Sequence, residues 1–271
     1  MGTIAADVAR LYRRMNRGLI GFLLFLAVIL LGLAAAAYVL GPNVLAFVFH
    51  TERRTEPVVI VNLLQFVDAQ HEERYRAEYV RPAATITQAL GGRVVWTARA
   101  DQILRGRALD AWSSMELVGY PSRAAFIELV TSSDYRALLR ARTQAVERSA
   151  MFAGTSSTLF DVQGTRAQVV RFLTAARDDS IDTFDSQWLD QEEALLARHD
   201  GRLLWRARLN PLVADDEQSF DTMLVYGFAD AENRAAWAND SERETLQTLQ
   251  RRLFRRDVLV LAETAQDQGA P

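Results

Sequence analysis

Two stretches of the chain, residues 57–160 and 166–265, carry the same pattern of apolar, glycine and aromatic positions. The offset between them is 109 residues at first and 108 after one loop, and the words GGRVVWTARA and DGRLLWRARL align Trp96 with Trp205. An internal repeat constrains a fold strongly, because each copy is expected to form the same supersecondary unit. The sequence therefore predicts two similar units in tandem.

Within each repeat the periodicity indicates a strand, a helix, two strands, a second helix and a last strand. Apolar runs rich in β-branched residues at 57–66 and 167–174 are typical of strands. Helical spacing follows at 69–90 and 181–199. This order is that of the ferredoxin-like βαββαβ unit. The predicted fold class is α+β, with two tandem ferredoxin-like units.

An uncharged segment of 33 residues, 18–50, precedes the repeats. Its core, residues 19–40, would span about 33 Å as a helix, which suffices for a hydrocarbon layer of about 30 Å. We therefore predict one N-terminal transmembrane helix at 18–41. A cleaved signal peptide is the alternative, since Ala34–Ala37 offers small residues to a peptidase, but the apolar character that continues beyond them favours an uncleaved anchor.

Charge asymmetry around this segment predicts its orientation. Four arginines lie between residues 10 and 17, before the helix, and only two follow it closely. The positive-inside rule then places the N-terminus in the cytoplasm and the rest in the periplasm, anchored to the inner membrane. The predicted organisation is a basic N-terminus at 1–17, a transmembrane helix at 18–41, a linker at 42–56, the repeats at 57–160 and 166–265, and a tail at 266–271.

Composition excludes several classes of function. A formal net charge of −3 does not suit a nucleic-acid-binding protein. The chain has no cysteine and no lysine, which excludes thiolate nucleophiles, iron–sulfur clusters, cysteine zinc sites and Schiff-base lysines. Its three histidines are far apart in sequence, so we expect no metal and no cofactor. Neither a Ser-His-Asp set nor a dinucleotide-binding fingerprint is present.

The first repeat resembles small bacterial proteins of the dimeric α/β-barrel superfamily, in particular a branch known as a domain of unknown function. The sequence segments that carry the resemblance are VVIVNLL at 58–64, YRAEY at 75–79, GGR at 91–93, YPSRAAF at 120–126 and SSDYRALLRAR at 132–142. The second repeat departs from these words. Relatives pair two chains to close one barrel, and the resemblance implies that the two repeats do so within one chain, as a pseudo-dimer.

Strand alternation sorts side chains to two faces of each sheet. We predict that the uniformly apolar face with Val61 and Leu63 packs under the helices and that the opposite face lines the barrel. The polar candidates for ligand binding on that face are Asn62, Glu116, Arg171 and Tyr226. Because an unpaired buried charge is costly, Arg171 is expected either to be neutralised by Glu116 or to bind an anionic ligand.

Three functions remain open at this point. The leading hypothesis is a membrane-anchored module outside the cytoplasm that binds a small molecule or a protein. The resemblance implies an alternative, because the superfamily includes oxygenases and isomerases that need no cofactor. A third hypothesis is an accessory subunit of a membrane protein complex. A homodimer of the whole chain is compatible with all three.

Overall fold

A computed structural model describes residues 55–107, 112–156, 160–176, 184–214 and 219–264. The predicted transmembrane segment at 18–41 lies outside these ranges. Within them, no helix combines the length and the apolar character needed to cross a bilayer.

The two repeats share one succession of elements, except that α1 of the first has no counterpart among the described residues of the second. The first consists of β1 (Val58–Phe66), α1 (Ala69–Tyr75), a π-helical segment (Arg76–Val80), α2 (Arg81–Ala89), β2 (Arg93–Arg105), β3 (Ser114–Tyr120), α3 (Arg123–Thr131), α4 (Ser133–Ala145) and β4 (Val146–Thr155). The second consists of β5 (Ala167–Ala175), a π-helical segment (Asp185–Leu189), α5 (Asp190–Arg198), β6 (Gly201–Val213), β7 (Thr222–Phe228), α6 (Ala231–Ala238), α7 (Glu242–Leu253) and β8 (Phe254–Thr264).

The eight strands close into one barrel in the order β1-β3-β2-β8-β5-β7-β6-β4. Each repeat contributes a four-stranded antiparallel sheet in the ferredoxin-like order, β4-β1-β3-β2 and β8-β5-β7-β6. The edges of the two sheets join through antiparallel pairs, β2 with β8 and β4 with β6. The predicted α+β class and the closed barrel are thus confirmed.

Apolar side chains from both repeats fill the barrel interior. They include Val61, Leu63, Leu117, Phe152, Phe172, Trp205, Phe220 and Val225, each at most 2% exposed. Trp96 also lies here, and its indole N–H donates a hydrogen bond of 2.8 Å to Gln168 of the second repeat. Phe160, from the segment between the repeats, packs on both Trp96 and Trp205. The interior is therefore a shared core.

The predicted assignment of the two sheet faces is wrong. Val61 and Leu63 point into the barrel, whereas Asn62 and Glu116 lie under the helices of the first repeat. The apolar pattern misleads here because both faces of each sheet are covered, the inner one by the opposite sheet and the outer one by helices. The strands enclose the barrel interior on all sides and exclude water from it, so the uniformly apolar face of the sheet points inward.

A π-helical segment lies at the same offset in both repeats and positions an aromatic side chain in each, Tyr79 in the first and Trp188 in the second. Pro82 follows the π-helical segment and lies in the first turn of α2, where a proline is tolerated. The second repeat has its π-helical segment without a proline, so proline is not the common cause. π-Helical turns widen a helix locally and are frequent at functional sites.

Gly92 and Gly201 follow helix ends, where a glycine in the left-handed conformation is common. That conformation is instead adopted one residue earlier, by Gly91 with φ of 74° and by Asp200 with φ of 50°. Gly92 and Gly201 are needed for a different reason. A Cβ atom at Gly201 would lie 2.6 Å from the ring of Phe228, and one at Gly92 would lie 2.9 Å from the ring of Tyr120.

Candidate functional site

A cavity of about 280 Å³ lies between the sheet and the helices of the first repeat. The sheet contributes Ile60, Asn62, Glu116 and Val118 to its wall. The helices contribute Tyr75, Tyr79, Ala83, Leu129 and Tyr135. Three further wall residues, Gln88, Arg93 and Val94, are exposed and mark the end of the cavity that is nearest to solvent.

Asn62 and Glu116 lie side by side on the cavity floor. They are direct partners in the antiparallel register of β1 and β3, which brings their Cβ atoms within about 5 Å of each other. The hydroxyl of Tyr75 donates to Glu116 Oε2 at 3.5 Å, the long limit for a hydrogen bond. The floor of the cavity thus offers one carboxyl and one amide group.

Protein surrounds the Glu116 carboxyl, and the accessible surface that it retains faces the cavity. Burial raises the pKa of Glu116 above the ordinary 4.5, because the charged form is poorly solvated there. The positive charges of Arg142 and Arg76 and the Tyr75 hydroxyl lower this pKa, but they do not cancel the effect of burial. Glu116 therefore keeps its proton to a higher pH than an exposed glutamate.

Three tyrosines form the helical wall around this carboxyl. The Tyr79 and Tyr135 hydroxyls are 2.6 Å apart, and the Tyr75 and Tyr79 rings stack at 5.0 Å. The Arg142 guanidinium lies 5.8 Å from the Tyr79 ring centroid. Burial raises the pKa of Tyr75 and of Tyr79 well above the ordinary 10.0, so their hydroxyls stay protonated and can donate hydrogen bonds.

The corresponding layer of the second repeat is built around Arg171, which is 1% exposed. Its guanidinium makes hydrogen bonds of 2.7 and 3.1 Å to the two carboxylate oxygens of Asp257 and one of 3.2 Å to Glu192. It also donates to Gln250 and stacks 4.5 Å from the Trp188 ring centroid. Burial alone would raise the pKa of Asp257, but the charge and hydrogen bonds of Arg171 outweigh it and lower that pKa below 3.8.

Aromatic side chains occupy the remaining space of this layer. Trp188, Tyr226 and Trp237 are all fully buried, and Tyr226 packs against Trp237 with ring centroids 5.7 Å apart. Arg243 lies over the Trp237 ring at 3.7 Å. The second repeat therefore fills with its own side chains the layer in which the first repeat has a cavity.

The structure thus separates the four sequence-predicted site residues into two pairs. Asn62 and Glu116 are neighbours in the first-repeat cavity, whereas Arg171 and Tyr226 lie in the packed layer of the second repeat. The expected neutralisation of Arg171 by Glu116 is wrong, because Asp257 and Glu192 pair with Arg171 instead. None of the four lines the barrel interior.

Sequence reasoning missed the tyrosines and the arginine of the cavity wall. Tyr75 and Tyr79 had the helical spacing of core residues, which gives no indication of the cavity beside them. Tyr135 and Arg142 were visible only as part of the word SSDYRALLRAR. Over the ranges that the structure describes, no three His, Asp or Glu side chains come together as ligands for a metal ion.

Residues 61–155 match the model of a protein family described as a domain of unknown function, DUF1330. The match covers most of the first repeat, about a third of the chain, and ends before the second repeat begins. A comparison with curated protein sequences found no match.

Among solved structures, a protein of unknown function from Rhodopseudomonas palustris is 29% identical over 42% of this chain and 93% of its own, with a TM-score of 0.37. An anthrone oxidase-like protein is 10% identical over 78% of this chain and 92% of its own, with a TM-score of 0.53. A mutant chlorite dismutase from Candidatus Nitrospira defluvii is 13% identical over 78% and 92%, with a TM-score of 0.42. The chain thus resembles dimeric α/β-barrel proteins in fold.

Replacing Arg171 by methionine tests how much the buried ion pairs of the second-repeat layer contribute to stability. We expect Arg171→Met to lower the free energy of unfolding by about 3–5 kcal/mol, because Asp257 and Glu192 then lose the buried guanidinium that they share. Asp257 keeps only the partly exposed Arg105, and Glu192 keeps only Arg243 at 3.6 Å. Chemical denaturation monitored by tryptophan fluorescence measures this. The control is Arg198→Met, which breaks a solvent-exposed pair with Glu242 and should change little. Equal stability of the two variants would contradict the assignment.

Replacing Glu116 by glutamine tests the effect of burial on its carboxyl group. A raised pKa means that the folded state binds more protons than the unfolded state, so stability falls as pH rises through the window above 4.5. Gln cannot ionise, so the Tm of Glu116→Gln relative to wild type should increase between pH 4.5 and pH 8. Glu128→Gln, at an exposed position of α3, is the control. A Tm difference independent of pH would show that the Glu116 carboxyl titrates normally.

Proposed function

We propose that the first-repeat cavity binds a small, largely apolar organic molecule. The observation that carries this proposal is the asymmetry of the two repeats: one layer is filled by its own side chains, and the other encloses a cavity on whose floor Asn62 and Glu116 meet. Mostly apolar pockets with a few convergent polar groups are the usual form of small-molecule sites. We therefore propose one ligand in the first-repeat layer of each chain.

The volume of the cavity limits the ligand to a small molecule. Its 280 Å³ is near the lower end of the range for ligand sites, about 300–1,000 Å³. An apolar cavity of about 150 Å³ holds one benzene molecule. A ligand of one or two rings therefore matches the available space.

Glu116 favours a second candidate function, in which the bound molecule also reacts. A carboxyl group that lines a cavity and has a pKa raised by burial is suited to exchange a proton with a ligand. Proton removal is a step that an oxygenase or isomerase without a cofactor requires of its side chains. The fold shared with the anthrone oxidase-like protein is compatible with such an enzyme but does not identify the reaction.

The location of the barrel is part of the proposal. An anchor at 18–41 with the basic residues of 1–17 in the cytoplasm would hold the barrel at the periplasmic face of the inner membrane. A ligand would then reach the cavity from the periplasm or from the membrane surface. A membrane protein partner and a homodimer remain open under this arrangement, as does a role as accessory subunit.

Native mass spectrometry of the detergent-purified full-length protein tests the binding proposal. We expect a co-purifying small molecule at one copy per chain, released and identified on denaturation. Leu129→Trp should abolish it, because the second repeat has Trp237 at the matching position and accommodates the indole there. The control is Leu104→Trp, which adds an indole to an exposed position of β2 and should leave the ligand in place. An equal amount of co-purifying small molecule in both variants would contradict the proposal.

A fusion to the last residue, Pro271, tests the location. A reporter enzyme that works only after export, such as alkaline phosphatase, should be active there. The same reporter fused after Arg17, before the predicted helix, should be inactive. Activity of a cytoplasm-dependent reporter after Pro271 would overturn the proposed orientation.

A further inference from the structure

The filled repeat indicates what shape the cavity of the other repeat accepts. The helix N-caps Ser122 and Asp230 align at an offset of 108, so Trp237 matches Leu129 without a gap. At the same offset, Tyr226 matches Val118 of the cavity floor. At two positions of the cavity wall, the second repeat thus replaces an aliphatic side chain with an aromatic one.

These replacements fill the equivalent space with flat rings. Trp237 and Tyr226 are fully buried and contact each other edge to face, with Trp188 in the same layer in place of Tyr79. The cavity wall of the first repeat is itself formed by the rings of Tyr75, Tyr79, Phe126 and Tyr135. Aromatic rings prefer edge-to-face and offset-stacked contacts with other rings, so this wall suits a planar ring.

The floor of the cavity adds a requirement for a hydrogen-bond donor. Glu116 receives one long hydrogen bond of 3.5 Å from Tyr75 and lines the cavity. An ionised carboxylate accepts hydrogen bonds at about four positions. In the filled repeat Leu224 stands at the position of Glu116, and the indole N–H groups of Trp188 and Trp237 have no acceptor among the described residues.

The charges around the cavity favour a ligand without net charge. Glu116 repels an anion, while Arg142 and Arg76 act on the same space with the opposite sign. Neither a cationic nor an anionic ligand is therefore clearly favoured in the cavity. The tyrosine hydroxyls of the wall hydrogen-bond equally well to neutral groups.

Together these observations extend the proposed function, on which the inference rests. We infer that the ligand is a neutral aromatic molecule of one or two rings whose N–H or O–H group donates a hydrogen bond to Glu116.

Indole and indene test this inference, because they have nearly the same shape and only indole carries an N–H donor. Calorimetric titration of the full-length protein should show indole binding about tenfold more tightly than indene, the gain expected from one well-formed hydrogen bond. Glu116→Leu, which copies the second repeat, should weaken indole to the level of indene and leave indene unchanged. Glu128→Leu is the control for the loss of an exposed glutamate. Binding that remains in Leu129→Trp is subtracted as binding outside the cavity.

The outcomes separate the inference from the proposed function. A tenfold preference of the wild type for indole that is lost in Glu116→Leu supports both the inference and the proposed function. Equal affinity of wild type for indole and indene, both lost in Leu129→Trp, overturns the donor requirement and leaves small-molecule binding standing. If neither probe binds and no small molecule co-purifies, both fail. Should Glu116→Leu not fold, Glu116→Gln retains one acceptor oxygen and should keep part of the preference.

Discussion

Closure of the barrel is the constraint on which the rest of the structure depends. A four-stranded ferredoxin-like sheet has two edges whose backbone groups would stay unpaired, and such edges invite association. Here β2 pairs with β8 and β4 with β6, so each repeat covers both edges of the other. The enclosed interior is filled by apolar side chains from all sides. The Asn62–Glu116 cavity and the Arg171 cluster both lie in the outer layers, between each sheet and its helices.

Both outer layers contain an arginine beside their aromatic side chains, but it comes from a different element in each layer. In the second repeat Arg171 comes from β5, and Asp257 and Glu192 satisfy it. In the first repeat Asn62 stands at that position, and Arg142 of α4 is the arginine, where α7 has Gln250. In the second layer the buried arginine is thus paired with acids of the same layer. In the first layer the Glu116 carboxyl receives one long hydrogen bond and lines the cavity.

Apolar periodicity predicted the element order, the internal repeat predicted that this order occurs twice, and the family resemblance implied that the two units close into one barrel. None of them predicted which face of a strand is inner. Val61 and Asn62 point to opposite faces of a strand whose two faces are both buried. Hydrophobicity alone does not show which of these faces packs against the opposite sheet and which packs against helices. The partners of Arg171 were missed for another reason. Glu192 and Asp257 are distant from it in sequence and look like ordinary surface acids.

The uneven family resemblance has a physical explanation in this arrangement. The words YRAEY and SSDYRALLRAR carry the resemblance of the first repeat, and they contain the cavity tyrosines Tyr75, Tyr79 and Tyr135 together with Arg142. The second repeat replaces these words while it retains the apolar strand pattern that the shared interior requires. Because closing the barrel demands only strands, the helical layer of the second repeat is free to change. Its bulky side chains occupy the space that the first repeat leaves as a cavity.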